Sequence, residues 1–240
     1  MEPQSRAVRI PSGKVELDAD FVPAPTGKGV VLFAHGSGSG RRSPRNREVA
    51  SRLHAHGFGT LLLDLLSSEE APVDELTAQY RFNIPLLSER LLAATDWFTS
   101  HPESNGVPLG YFGASTGGAV AMIAAAERPE QVAAIVLRGA RSDLGDAAAR
   151  RIRCPVLLLV GEEDSPVRSL NDRTMQRLTC EKKLVVVPGA SHLFEEPGAL
   201  EAVATETVAW FDRHLHGPLG PGTPGVSSGR SGASGGGARR

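Results

Sequence analysis

The sequence has little cysteine, no excess charge of either sign and no long apolar run. Two cysteines, Cys154 and Cys180, are too few for a disulfide framework, and each lies beside an apolar strand-like run, so we expect both to be reduced core residues. With 26 basic and 27 acidic residues the net charge is -1, which gives no field to attract nucleic acid or an anionic membrane. The balanced charge is compatible with a small-molecule ligand.

Signals for a membrane or for export are missing too. No apolar run approaches the roughly 20 residues that a membrane-spanning helix needs. The N-terminus, MEPQSRAVRI, lacks the charged-then-apolar layout of a signal peptide. We therefore expect a cytoplasmic protein with no membrane partner. The sequence does not indicate an oligomeric state.

The 240 residues are enough for one α/β domain with a substantial core. We assign that domain to residues 1–216. From 217 to 240 the sequence reads GPLGPGTPGVSSGRSGASGGGARR, which offers almost nothing to bury, so we expect a disordered tail there.

Within the domain, short aliphatic runs alternate with longer amphipathic or alanine-rich ones, the pattern of strand-helix-strand units around a mostly parallel sheet. Eight strands are expected at 6–10, 14–21, 30–34, 60–65, 109–112, 133–137, 156–160 and 183–187. Helices are expected at 45–56, 85–100, 116–128, 167–178 and 200–214, with a short one at 144–150.

A Gly-x-Ser-x-Gly motif joins one of these strands to the next helix. Ser115 is its central residue, between the strand LGYFG and the alanine-rich run TGGAVAMIAAAERP. A serine on such a tight turn gains an exposed hydroxyl and lies at a helix N-terminus, as a nucleophile requires. The alternative is a serine that merely caps the helix.

A nucleophilic serine needs a histidine base and an acid, in the chain order Ser, Asp, His. Asp164 follows the strand PVLLLVG, and His192 follows the strand KLVVVPG, so both are expected at strand carboxyl ends. Glu162 and Glu163 compete with Asp164 for the acid role. We favour Asp164 because it directly precedes the turn-forming pair Ser165-Pro166.

A glycine-rich loop, His35-Gly36-Ser37-Gly38-Ser39-Gly40, follows the strand VVLFA. Its backbone can approach a reacting carbonyl, so the N–H groups of Ser37 and Thr116 are our candidate oxyanion donors. The loop also resembles a dinucleotide-binding turn, with Asp64 near the position of a ribose-binding acid. The spacing misses the third glycine, however, and Pro44 delays the helix. We expect no cofactor and no metal, and Asp64 is either a second acid or a partner of the loop.

The segments GASTG, GEED and PGASHLF, in this order, resemble the dienelactone hydrolase family of α/β hydrolases. The similarity runs from about residue 30 to residue 214 and is strongest to a compact bacterial branch sometimes joined to phosphoribosyltransferase domains. The resemblance implies an α/β-hydrolase fold with an eight-stranded, mostly parallel sheet, helices on both faces, and a nucleophile-His-Asp triad. On matching positions these roles fall on Ser115, His192 and Asp164.

Two departures from that family bear on the substrate. Dienelactone hydrolases carry a cysteine at the position of Ser115 and a glutamate in the loop that here holds only glycine and serine. We therefore expect a serine hydrolase of a small ester, lactone or related acyl compound, acting through an acyl-enzyme, and not of dienelactone itself. An acyltransferase with the same triad and a catalytically silent interaction module are the alternatives.

Substrate-binding residues are harder to assign. The connection 139–155 is too short for a lid domain, so we expect an open pocket with a rim from the long segment 67–85. Several arginines follow strand ends, and Arg81 and Arg138 are candidates for an anionic substrate group. The alternative is that they are ordinary surface residues.

Overall fold

The described part of the chain, residues 4–25 and 27–215 of a computed structural model, is built around one eight-stranded sheet. The proposed tail 217–240 lies outside the described residues. The strands are β1 Arg6–Ser12, β2 Val15–Val22, β3 Val30–Ala34, β4 Gly59–Leu63, β5 Leu109–Ala114, β6 Val132–Arg138, β7 Val156–Gly161 and β8 Lys182–Val187. All eight expected strands are confirmed, with ends shifted by two residues or fewer.

The sheet is mostly parallel. Its strand order is β1-β2-β4-β3-β5-β6-β7-β8; β2 pairs antiparallel with β1 and with β4, and all other neighbours are parallel. The carboxyl ends of β3 to β8 therefore meet at one edge, where open α/β sheets bind their ligands.

The described residues form six α-helices around the sheet: α1 Pro44–Ala55, α2 Glu70–Thr77, α3 Ile84–Ser100, α4 Thr116–Glu127, α5 Ser165–Arg177 and α6 Ala199–His214. Apolar residues of α1 and α6 pack on one face, and those of α3 and α4 on the other. The expected fold, with helices on both faces, is confirmed.

The inner strands are continuous apolar runs because both of their faces are covered. Successive side chains alternate between the two helix layers. Phe33 of β3 and Phe112 of β5 stack on the α1 and α6 side, with ring centroids 4.9 Å apart. Tyr111 faces the α3 and α4 side, where its buried hydroxyl lies 2.6 Å from the Thr95 hydroxyl. This two-sided packing holds the sheet edge rigid beneath the loops.

One helix was not expected. The segment 67–85 contains α2, which the sequence pattern does not indicate because Asp74 is its only buried residue. Its start is nevertheless encoded: the Ser67 hydroxyl accepts the Glu70 amide, and the Glu70 carboxylate accepts the Ser67 amide. These two reciprocal bonds, of the capping-box kind, fix the turn that leads into α2.

The expected helix at 144–150 is wrong. In its place the chain forms two 3-10 turns, Ser142–Gly145 and Ala149–Arg151, and Ala148 and Ala149 at the start of the second turn are buried. Gly145 lies close to Ala119 of α4, where a Cβ would be 3.1 Å from the Ala119 carbonyl oxygen. The short connection is thus packed onto α4, and within the described residues no lid covers the sheet edge.

Candidate active site

Ser115 lies on the sharp turn between β5 and α4. Its backbone angles, φ 52° and ψ -119°, are rare for a residue with a side chain. The turn requires glycine at Gly117, where a Cβ would lie 2.1 Å from the Ala34 carbonyl oxygen. The Ser115 hydroxyl makes no capping bond to α4. The alternative of a simple helix cap therefore does not describe this serine.

His192 lies in the loop after β8 and contacts both Ser115 and Asp164. Its Nε2 is 3.3 Å from the Ser115 Oγ, and its Nδ1 is 2.6 Å from an Asp164 carboxylate oxygen. The ring packs against Gly139, at which a Cβ would lie 3.4 Å from the imidazole. The His192 side chain is 38% exposed and that of Asp164 only 10%. The imidazole is thus open to a ligand while the carboxylate behind it is shielded.

Asp164 is the one of three adjacent acids that reaches the histidine. It directly precedes α5, and its amide donates to the Gly161 carbonyl at 3.2 Å. The Glu162 carboxylate instead accepts the Gly189 amide at 2.8 Å, and the Glu163 side chain is exposed. Because β7 and β8 are neighbours in the sheet, their loops bring Asp164 and His192 together.

The glycine-rich loop lies against the serine turn. A Cβ on Gly36, the residue before Ser37, would lie 3.1 Å from the Ser115 Cβ. On the other side, the Thr116 amide is in the first turn of α4, where backbone N–H groups have no acceptor within the helix. Both backbone groups proposed from the sequence as oxyanion donors therefore belong to segments that flank Ser115.

His35 was not singled out from the sequence, although it directly follows a buried strand. Its Nε2 accepts the Leu65 amide at 2.9 Å, and its Nδ1 lies 2.9 Å from the Gly36 carbonyl oxygen, to which it donates. Burial lowers the pKa of His35, against smaller opposing effects of the Gly36 carbonyl and the Asp64 charge. A neutral His35 thus joins the glycine-rich loop to the end of β4.

Asp64 is a partner of that same loop. Its carboxylate accepts the Arg41 amide at 2.6 Å and pairs with the Arg41 guanidinium, which also lies 3.5 Å from Asp18 and from Asp20. Of the two roles that the sequence left open for Asp64, the structure supports the second.

Arg81 lies beside the loop but is already paired. Its Nε donates to the Asp74 carboxylate at 2.8 Å, and its Nη1 would lie 3.6 Å from a Cβ on Gly38. The two residues border a cavity of about 110 Å³ between α2 and the glycine-rich loop. To bind an anionic substrate group, Arg81 would have to share or exchange its ion pair with Asp74.

Arg138, the last residue of β6, is buried on the opposite side of the sheet. Its carbonyl oxygen accepts the Ser115 amide at 3.0 Å, so its backbone supports the serine turn. Its guanidinium lies 5.9 Å from the centre of the Phe112 ring. Its Nη1 is buried with no hydrogen-bond partner among the described residues.

Residues 4–25 and 27–215 offer neither a metal cluster nor a membrane-spanning helix. These residues hold no group of three or more His, Cys, Asp and Glu side chains that would bind a metal ion. None of their helices is long and apolar enough to cross a membrane.

The fold and the Ser-His-Asp arrangement at its carboxyl edge define an α/β hydrolase. The sequence model of the dienelactone hydrolase family matches residues 21–214. The chain belongs to the dienelactone hydrolase family.

Known proteins agree with that assignment. A dienelactone hydrolase of Anabaena variabilis is 50% identical to this chain and superimposes on it with a TM-score of 0.88. The match covers 90% of this chain and 100% of that protein. Est1E of Butyrivibrio proteoclasticus, solved with ferulic acid, shares the fold at 15% identity, with a TM-score of 0.74 and coverage of 87% of this chain and 99% of Est1E.

A longer relative comes from Mycobacterium tuberculosis and is named "Putative phosphoribosyl transferase". It is 45% identical over 211 residues, which are 88% of this chain and 47% of that protein. The chain therefore spans about half the length of this relative, which fits the branch of the family that the sequence resembles.

Proposed function

We propose that the protein is a serine hydrolase that cleaves a small carboxylic ester, lactone or related acyl substrate. The observation that carries this proposal is the continuous contact from Ser115 through His192 to Asp164, at 3.3 Å and 2.6 Å. The serine side chain has the histidine as its hydrogen-bond partner, and the histidine has the acid. This is the geometry in which a weak hydroxyl nucleophile is activated by a base.

In the proposed reaction, the Ser115 oxygen attacks the acyl carbon while its proton passes to His192 Nε2. Asp164 accepts a hydrogen bond from Nδ1, which fixes the tautomer and stabilises the imidazolium. His192 then returns the proton to the leaving alcohol oxygen, and the acyl group stays on Ser115. A water molecule, deprotonated by the same histidine, releases the acid and restores the serine.

The negative oxygen of each tetrahedral intermediate would be bound by the amides of Ser37 and Thr116. Thr116 lies at the N-terminus of α4, whose dipole favours a negative charge. In comparable sites the loss of one such donor lowers kcat by about 100- to 1,000-fold. Both donors are backbone groups, so the position of the Ser37 amide depends on the glycine-rich loop and its His35 contact, and that of the Thr116 amide on the serine turn.

Fluorophosphonate labelling followed by ester kinetics tests the proposal. We expect wild type to be labelled on Ser115 and to hydrolyse p-nitrophenyl esters, and Ser115→Ala to lose both properties. Ser68→Ala, at an exposed serine away from the triad, is the matched control and should retain both. Labelling that persists in Ser115→Ala would reject Ser115 as the nucleophile.

Hydrolysis and acyl transfer are separated by adding an alcohol acceptor to the same assay. For a hydrolase, the free acid remains the main product when the alcohol is present. A product that is mainly the new ester at low alcohol concentration would instead identify an acyltransferase with the same triad.

A further inference from the structure

Arg138 is a buried cation without an anionic partner. Only 8% of the residue is exposed, and its buried Nη1 makes no hydrogen bond within residues 4–25 and 27–215. Arg90 is equally buried, at 6%, but donates to the Ser12 carbonyl and to the Glu70 carboxylate, both at 2.9 Å. Of these two buried arginines, the fold therefore pairs Arg90 with a carboxylate and leaves Arg138 without one.

The charge that acts on Arg138 has the same sign. Burial and, to a smaller extent, the charge of Arg45 together lower the pKa of Arg138 to about 10. Arg138 is still protonated at neutral pH, so two cations repel each other there. Arg45 lies in the first turn of α1, and its Nη1 donates to Glu195 at 2.7 Å while its Nε is buried without a partner.

An isolated buried charge is strongly unfavourable, and proteins normally pair it. Within the described part of the chain, the stabilising contact of the Arg138 guanidinium is with the Phe112 ring, which interacts weakly at 5.9 Å. An anion bound between Arg138 and Arg45 would remove both the desolvation cost and the repulsion. A carboxylate or a phosphate has the planar or tetrahedral oxygen set that guanidinium groups bind with paired hydrogen bonds.

We propose that Arg138 and Arg45 form a binding site for an oxyanion of the carboxylate or phosphate type, beside the candidate active site. The position supports this proposal. The Arg138 carbonyl holds the Ser115 amide, and the next residue, Gly139, touches the His192 ring. Arg45 is 31% exposed at its side chain, which gives an ion a route from solvent. The N-terminus of α1 adds a favourable dipole.

The oxyanion has two sources, an anionic group of the substrate or a free ion. Binding of a free ion does not depend on any enzymatic activity. The substrate source rests on the proposed hydrolase function, so the two are tested by separate measurements.

The first measurement is binding of inorganic phosphate to the full chain by calorimetry and by thermal unfolding at constant ionic strength. We expect saturable binding and a rise in Tm of about 2–4 °C for each 1 kcal/mol of added stability in wild type. Arg138→Met, which keeps the apolar stem, should lose the response. Arg141→Gln is the matched control, because it removes a charge three residues away that Asp143 already pairs, and it should respond as wild type does.

Absence of saturable phosphate binding in wild type would overturn the proposal, and so would an equal response in Arg138→Met. The wild-type titration decides the matter even if the Arg138 variant does not fold. Without added anion, Arg138→Met should unfold at a higher temperature than wild type, because the unpaired charge is gone.

The second measurement compares two p-nitrophenyl esters of succinic acid, one with a free carboxylate and one with that carboxylate capped as a methyl ester. If the substrate supplies the anion, Arg138→Met lowers kcat/KM for the free carboxylate by about 10- to 100-fold more than for the capped ester. Phosphate then competes with the first ester only. If both esters respond alike while phosphate still binds, the site takes a free ion. Failure of wild type to hydrolyse either ester counts against the hydrolase function alone.

Discussion

At the scale of single residues, His35 and His192 show how position decides what an imidazole does. Both follow buried strands at the same sheet edge. His35 uses both ring nitrogens in contacts to backbone groups, one as donor and one as acceptor, and so is held neutral. His192 has a carboxylate on one nitrogen and a hydroxyl on the other. His35 is therefore a positioning residue for the glycine-rich loop, and His192 is the candidate base.

The neutral state of His35 predicts a pH dependence of stability. Because burial lowers the pKa of His35 in the folded chain, the unfolded chain binds the proton more readily. This contribution is complete above the unfolded pKa of about 6.5 and is lost as the pH falls through the folded pKa, with a slope of at most about 1.4 kcal/mol per pH unit. His35→Gln should flatten that fall in urea unfolding between about pH 7.5 and about pH 5.

His54 supplies the matched control for that experiment. Burial lowers its pKa too, and its ring, in the last turn of α1, lies 2.8 Å from the Thr60 hydroxyl. His54→Gln should remove a separate share of the pH dependence, and the double variant should be flatter than either. An unchanged acid slope in His35→Gln would show that His35 is charged in the folded protein.

The candidate acid, Asp164, is likewise separated from a competing acid by a single position in the chain. Asp164→Asn should lower kcat on a p-nitrophenyl ester by about 10,000-fold, because an amide leaves the wrong histidine tautomer. Glu163→Gln, one position earlier and exposed, should change kcat by less than about twofold. Fluorophosphonate labelling should slow in the first variant and not in the second. Equal losses in both variants would assign the acid role to neither residue specifically.

Sequence reasoning favoured Asp164 for its position before the turn-forming Ser165-Pro166, but it left Glu162 and Glu163 as competitors. All three follow the same strand, and a one-residue change in the loop would exchange them. What distinguishes them is the contact of Glu162 with the Gly189 amide and of Asp164 with His192. Contacts of this kind depend on two loops at once, so they are absent from any local pattern.

At the scale of elements, hydrophobic periodicity does not predict α2, whereas the capping residues before it do indicate a helix. Its eight residues bury Asp74 alone, so no apolar stripe marks it, whereas the spacing Ser67 to Glu70 encodes its start. The Asp74 carboxylate accepts the amides of Tyr80 and Arg81 and the Arg81 guanidinium. Those contacts turn the chain after α2 and hold Arg81 beside the glycine-rich loop.

The end of α2 predicts a stabilising substitution. Its C-cap residue, Ala78, has φ 54° and ψ 20°, a left-handed conformation that costs about 1–2 kcal/mol for a residue with a Cβ. Ala78→Gly should therefore raise the free energy of unfolding by about 1 kcal/mol in urea unfolding. Ala209→Gly, at an exposed position inside α6, should lower it by about 1 kcal/mol. A loss of stability in Ala78→Gly would mean that the Ala78 conformation carries no strain.

At the scale of the whole molecule, the sheet assembles a site from residues far apart in the chain. Continuous apolar runs mark β3, β5 and β7 clearly, and the order Ser115, Asp164, His192 follows from three strand ends, so the fold and the candidate triad were accessible from the sequence. Arg138 was accessible only as a residue near a strand end. Its burial and its missing partner depend on α1 packing over the sheet, which no single segment reveals.

The same packing predicts where the folded domain ends. Leu215 is 1% exposed and lies in the cluster with Phe211, and a Cβ on Gly29 would be 3.2 Å from its side chain. A chain ending at residue 217 keeps this contact and should match wild type in Tm and in ester hydrolysis. Leu215→Ala in the full chain should lower the free energy of unfolding by about 2–5 kcal/mol. A fall in Tm on removal of 218–240 alone would show that the proposed tail contributes to the fold, and the domain boundary at residue 216 would then be wrong.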